Sequence, residues 1–195
     1  GDFAIQPGDK VFVSGDMISI TDSFRYLGRN KHKIRSVMIL GGSRISYYLS
    51  KVIIPMGIHV TLFEINPDKA RKLSELLPKV DVIVGDGTDQ DLLEEQGLSQ
   101  MDAFVALSNR DEENLMSGLH ASRCGVPKVI AKNSRIAYRD ILNDLGLDSV
   151  ISPQFITSST ILRYVRAREN SKGTKIHRLY RLVGGKAEAI EFIAR

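Results

Sequence analysis

Val37-Met38-Ile39-Leu40-Gly41-Gly42-Ser43-Arg44-Ile45-Ser46, with Glu64 following 23 positions after Gly41 at the end of a second apolar run, His59–Ile65, decides the fold. Four residues of buried type run into a tight turn. The turn opens a helix whose first backbone N–H groups have no intrahelical acceptor and are free to receive a phosphate, and the next strand ends in an acid placed to grip a ribose diol. This is the pattern of a mononucleotide-binding βαβ unit. Against G-x-G-x-x-G the chain offers Gly41, Ser43 and Ser46, keeping the glycine that makes the turn and replacing the other two with serines. Each serine brings a Cβ where backbone approaches a pyrophosphate or where helix packs on strand. A nucleotide site therefore has to be argued from more than this loop.

From Ile34 onward, apolar runs alternate with helical segments. Strands are expected at 36–40, 59–65, 80–84, 103–107, 128–131 and 150–151. Helices are expected at 43–56, from Asn66-Pro67-Asp68, at about 89–96, 112–124 and 137–145. Asn66 is a good N-cap and Pro67 an ideal first helical residue. Six strands separated by helices cannot be joined as hairpins and must run parallel with right-handed crossovers. The expected fold is α/β: a doubly wound, mostly parallel six-stranded sheet, Rossmann-like, over residues 34–153. A chain of 195 residues has room for that domain and appendages.

Before it, Pro7-Gly8-Asp9 leads into one short strand without a nearby partner, and Asp22–Gly28 reads as a short helix. Residues 1–30 are thus expected to end a preceding domain. After it, 154–170 reads as a protruding amphipathic helix, with Phe155, Ile156, Ile161, Leu162 and Val165 as its apolar stripe and dimerisation or domain linking as its role. Ser171-Lys172-Gly173 breaks the chain. Residues 171–195, with strands at 176–183 and 189–194, read as the start of a following domain, so both flanks look truncated.

Composition narrows the function. Hydrophobic residues make up 43% and charged residues 26%, and no apolar stretch is long enough to span a bilayer. The net charge of +4 is concentrated at 25–35 and 163–181. Without interleaved aromatics these segments are solvated faces or linkers, not a nucleic-acid surface. A single cysteine, Cys124, excludes an internal disulfide and points to a reducing cytoplasm; it reads as a packing residue. Tyr47-Tyr48-Leu49-Ser50-Lys51 carries a Tyr-x-x-x-Lys spacing, but directly after the phosphate loop instead of beside a nicotinamide. His32, His59, His120 and His177 show no ligand spacing, so no metal site and no catalytic set is expected.

The candidates lie at the carboxyl ends of the strands, where open α/β sheets bind ligands. Glu64 is the ribose acid, and its charge would repel a 2′-phosphate. Asp86, inside Gly85-Asp86-Gly87-Thr88, faces the adenosine base or forms an ordinary turn. Ser108, Asn109 and Lys132 follow the fourth and fifth strands. Arg44 opens the first helix and pairs with a phosphate or is solvated.

Ile39–Ile45, Phe63-Glu64-Ile65-Asn66-Pro67, Val84–Asp89 with Leu93 and Gly97, Asp102–Asn114 and Asp148–Pro153 occur in the order seen in RCK (KTN) domains, which the chain resembles over about residues 34–168. The resemblance implies a cytoplasmic, non-enzymatic regulatory subunit of a potassium uptake system that gates a membrane potassium translocation subunit. It implies binding of NAD(H) or an adenine nucleotide (ATP, ADP or AMP), and a homodimer or higher ring. Gly41, Gly42, Ser43, Arg44 and Ile45 become the phosphate loop, Glu64 the ribose acid and Asp86 a base-side contact. Ser108 and Asn109 with Lys132 form the remaining wall. Residues 1–30 and 171–195 become parts of flanking C-lobes. Serine at positions 43 and 46, where the family usually has glycine, leaves a structural lobe without ligand as the alternative. A fragment of an NAD-dependent oxidoreductase is the third reading.

Overall fold

The computed structural model describes residues 4–6, 13, 17–27, 33–134, 150–169, 176–182 and 187–192. By contacts the chain divides into two compact units, His32–Thr157 and a second unit formed by Gly1–Lys31 with Ser158–Arg195.

The first unit is a six-stranded sheet of β1 (Ser36–Leu40), β2 (His59–Glu64), β3 (Asp81–Val84), β4 (Ala103–Ala106), β5 (Lys128–Lys132) and β6 (Val150–Ile151) in the order β3-β2-β1-β4-β5-β6. Every pairing is parallel. The order reverses between β1 and β4, the topological switch point where doubly wound sheets open a crevice. Central β1 alternates between two cores. Met38 and Leu40 join Phe63, Leu93, Phe104 and Ala121 on one face, and Val37 and Ile39 join Val60, Leu62, Leu73 and Val105 on the other. Burial on both faces explains why these strands read as continuous apolar runs. Truncating the fully buried Phe63 or Phe104 would cost about 3–5 kcal/mol each.

Helices α2 (Arg44–Ile53) and α3 (Pro67–Leu76) cover the second core; α4 (Gln90–Glu95) and α5 (Asp111–Arg123) cover the first. Ser43, Asn66 and Asp89 cap α2, α3 and α4 by accepting from first-turn amides. Pro55 shortens the helix expected at 43–56: lacking an N–H it cannot continue the ladder, and Ile54–Met56 tightens into a 3₁₀ turn closed by left-handed Gly57. At the amino end of the sheet the Asp102 carboxylate accepts from the backbone N–H groups of Arg35 (2.7 Å) and Ser36 (3.1 Å), and the Ser36 hydroxyl accepts from Asp102 N–H (3.1 Å). This clasp sets β4 in register with β1. The helix expected at 137–145 and most of the short strand expected after Pro7-Gly8-Asp9 lie outside the described residues.

Helix α1 (Met17–Tyr26) starts five residues before the expected Asp22. Helix α6 (Pro153–Glu169) corrects the expected stripe. Phe155 and Leu162 are half-buried on one side, whereas Ile156, Ile161 and Val165 are exposed, joined by Tyr164. The apolar residues run around the helix instead of forming one face. Strands β7 (Ile176–Leu182) and β8 (Ala187–Phe192) pair antiparallel.

Candidate functional site

The carboxyl ends of β1 to β4 surround a cleft of about 220 Å³, lined by Leu40, Gly41, Gly42, Ser43, Phe63, Glu64, Ile65, Lys69, the turn 85–88, and Ser108, Asn109, Arg110 and Glu113. Leu40 and Phe63 give it an apolar floor. Its rim is backbone and charge.

The rim on the β1 side follows from packing. Gly41 has φ +91, and a Cβ there would stand 2.8 Å from Ser108 Cα, so only glycine lets the β1 and β4 loops approach. A Cβ on Gly42 would stand 2.4 Å from Leu73 Cδ1 and 2.7 Å from Glu64 Oε2. The two serines fit by bonding inward. Ser43 Oγ accepts from Ser46 N–H at 3.2 Å and lies 3.0 Å from Ser46 Oγ. The fully buried Ser46 donates its hydroxyl to the Gly41 carbonyl. Ser46 therefore satisfies a loop carbonyl from beneath the helix and does not intrude on the cleft. Ser43 lines the cleft as the helix cap. Arg44 and Ile45 have exposed side chains outside the lining; their amides lie in the first turn of α2, where no intrahelical acceptor exists.

Glu64 is 6% exposed and makes three bonds. Oε2 accepts from Gly42 N–H at 3.0 Å and from Lys69 Nζ at 2.7 Å, and Oε1 accepts from Asn66 N–H at 3.0 Å. Burial raises its pKa; the bonds from Lys69, Asn66 and Gly42 and the Lys69 charge outweigh this and hold the carboxyl below its ordinary 4.5. A carboxylate offers about four acceptor positions, so Glu64 has one left for an incoming donor in this arrangement, and a second if half-exposed Lys69 moves aside. Asp86 differs. Its Oδ1 accepts from Thr88 N–H (2.9 Å) and Thr88 Oγ1 (2.8 Å), forming a local turn whose bonds, with the Arg110 charge, lower its pKa against the rise from burial.

On the β4 side, fully buried Asn114 holds the wall. Its Oδ1 accepts from Ser108 N–H at 2.9 Å, and its Nδ2 donates to the carbonyls of Ser108 and Lys132, both at 3.1 Å. Lys132 is buried at the end of β5 and reaches this network through its backbone, outside the cleft lining. Thus Gly41, Gly42, Ser43, Glu64, Asp86, Ser108 and Asn109 converge on the cleft, while the side chains of Arg44, Ile45 and Lys132 do not line it. Lys69, Thr88, and Arg110 with its ion-pair partner Glu113 are added by the structure. Only their place just after a strand end signals them in the sequence. Tyr47 lies on α2, packed against the second core with the Lys51 ammonium 5.4 Å above its ring, so the Tyr-x-x-x-Lys spacing is a packing pair.

The sequence profile of the TrkA-N domain matches residues 37–153, from β1 through the start of α6. The chain belongs to the TrkA-N domain family. The Trk system potassium uptake protein TrkA of Vibrio alginolyticus is 37% identical to it over 194 residues, an alignment that covers 100% of this chain and 41% of that protein. The chain thus spans about two fifths of the length of that relative. The Kef CTD of Shewanella denitrificans in AMP bound form superposes with a TM-score of 0.57 at 19% identity, covering 70% of this chain and 80% of that one. The GsuK channel bound to NAD superposes with a TM-score of 0.53 at 21% identity, covering 70% and 26%. These two likenesses are likenesses of fold. Among the described residues no helix is long and apolar enough to cross a membrane.

Proposed function

We propose that this TrkA-N lobe is the nucleotide-sensing part of a cytoplasmic regulatory subunit that gates a membrane potassium translocation subunit, with NAD(H) or an adenine nucleotide (ATP, ADP or AMP) as its ligand. The observation that carries the reading is the cleft at the switch point, where a helix N-terminus, a buried strand-end carboxylate and the Asp86 turn face one another across an apolar floor. Similarity along the whole chain to a potassium uptake protein supplies the transport context. The likenesses to AMP-bound and NAD-bound proteins support the ligand class. In this reading α2 and Ser43 receive phosphate, Glu64 takes a ribose hydroxyl, and Asp86 with Asn109 borders the base. Ligand contact with both the β1–α2 and β4–α5 loops favours the conformation in which they are held together, and that bias is what a gate reads. The lobe is 34–153; residues 1–30 and 171–195 belong to flanking C-lobes, and 154–170 is the crossover helix. Assembly is as a homodimer or higher ring, supported by the exposed Ile156, Ile161, Tyr164 and Val165 on α6.

Calorimetric titration of the chain with ATP, ADP, AMP, NADH and NADPH tests the ligand. At least one adenine nucleotide is expected to bind, with NADPH weaker than NADH because Glu64 repels a 2′-phosphate. Light scattering at micromolar concentration tests assembly; a single 21.7 kDa species contradicts it. One observation favours a second reading, a structural lobe without ligand: Gly42, Asn66 and Lys69 already fill most of the Glu64 carboxylate and tie the loop to α3. Calorimetry without heat for any of these nucleotides at millimolar concentration selects it.

A further inference from the structure

A second chemical cluster lies at the other end of α5, about 20 Å from its start by the helical rise. His120 and Cys124 stand one turn apart, the latter as the helix C-cap, and Glu94 approaches from the last turn of α4. One ligand atom from each lies within 4.8 Å of the others. This corrects the expectation of histidines without ligand spacing: His120-x-x-x-Cys124 is an i, i+4 pair on one helical face, completed by a carboxylate 26 positions upstream of the histidine.

The separation of the two side chains is informative. Cys124 Sγ lies 3.5 Å from His120 Nε2. A tetrahedral zinc with Zn–S of about 2.3 Å and Zn–N of about 2.05 Å places its sulfur and nitrogen about 3.6 Å apart. Sγ also lies 3.9 Å from Nδ1, beside the ring, so the separation matches a shared ion and a rotation of the imidazole aims one ring nitrogen at the cation. The donors are one soft thiolate, one imidazole and one carboxylate, a set suited to zinc-class cations and not to magnesium or calcium. The C-terminus of α5 adds the negative end of its dipole. Cys124 and His120 are half-buried and Glu94 is exposed, so the cluster is open to an ion from solvent.

We propose that Glu94, His120 and Cys124 form a three-ligand site for a zinc-class divalent cation, with water in the fourth position, at the end of α5 opposite the nucleotide cleft. Binding replaces the thiol proton: the S–H bond breaks, the sulfur keeps the electron pair and coordinates the cation, and the proton leaves to solvent. With thiolate and carboxylate both charged, the dication is neutralised. The ion would cross-link α4 to α5, the two helices covering one face of the sheet.

Titration of the full chain with Co²⁺, whose thiolate charge-transfer band reports sulfur coordination, tests the site. One Co²⁺ per chain is expected, with the band present, displaced by Zn²⁺ and unaffected by excess Mg²⁺. Cys124→Ser should abolish the band while leaving the circular dichroism spectrum unchanged. His120→Ala and the surface substitution Glu94→Gln should each weaken Co²⁺ binding at least about tenfold. Absence of the band in the folded wild-type chain, or Co²⁺ affinity that His120→Ala and Glu94→Gln leave unchanged, overturns the proposal.

Discussion

Glu64 and Asp86 stand at the carboxyl ends of neighbouring strands and border the same cleft, yet the fold uses them differently. Glu64 is buried and joins three segments: the β1–α2 loop through Gly42, the start of α3 through Asn66, and the body of α3 through Lys69. Asp86 bonds only within its own turn, to Thr88 two residues later. Two acids that look alike in sequence are a joint and a local cap. A ligand that engages Glu64 touches the connection between loop and helix; one that engages Asp86 touches a turn. The β4 wall has its own joint in Asn114, neutral and deeper, so substitutions at these positions separate structural from ligand-directed roles.

The largest effect is expected at Asn114. Asn114→Ala leaves Ser108 N–H and the carbonyls of Ser108 and Lys132 without their partner, and is expected to cost about 3 kcal/mol in denaturant unfolding. A loss below about 1 kcal/mol would mean that the β4 wall is held by something else.

Glu64→Gln comes next, at about 2 kcal/mol, because an amide cannot accept from three donors as a carboxylate does. Its pH dependence separates it from Asp86. The folded pKa of Glu64 lies below its ordinary 4.5. Its contribution to stability is therefore present above that value and is lost as pH falls through the folded pKa. Acid unfolding followed from pH 6 downward should show Glu64→Gln converging on wild type at low pH. A constant gap at all pH values would show that charge is not what Glu64 contributes.

Asp86→Ala, at an exposed turn, is expected to cost no more than about 1 kcal/mol, measured in the same way. A cost equal to that of Glu64→Gln would erase the distinction between joint and cap. Smallest is Ser43→Gly, which removes a helix cap at a cost of a few tenths of a kcal/mol and takes a Cβ out of the β1–α2 loop. It should strengthen NAD relative to AMP in calorimetry, since only the dinucleotide brings a second phosphate to that position.

Much of this was readable beforehand, and the reasons are specific. Strands β1, β2, β4 and β5 are buried on both faces, so Val37–Leu40 and Ala103–Leu107 appear as unbroken apolar runs, and Asn66-Pro67 marks a helix start. Glu64 was legible because its distance from Gly41 reflects one βα unit. That Glu64 is already bonded was not legible, since it depends on where the Lys69 side chain folds back. Ser46 looked like an obstruction because a motif records residue size and not the Gly41 carbonyl that its hydroxyl serves. The apolar residues of α6 suggest a stripe in the sequence, but Ile156 and Tyr164 project from other sides of the helix than Phe155 and Leu162. The Glu94–His120–Cys124 cluster was half legible: the i, i+4 pair is in the sequence, but the carboxylate comes from another element.

The most direct test of the central claim is calorimetric titration of adenine nucleotides and NADH into the wild-type chain and into Glu64→Gln. The account predicts saturable binding of at least one of them to wild type, weakened by about 1.5–3 kcal/mol in Glu64→Gln. Saturable binding of equal strength to both proteins would contradict it.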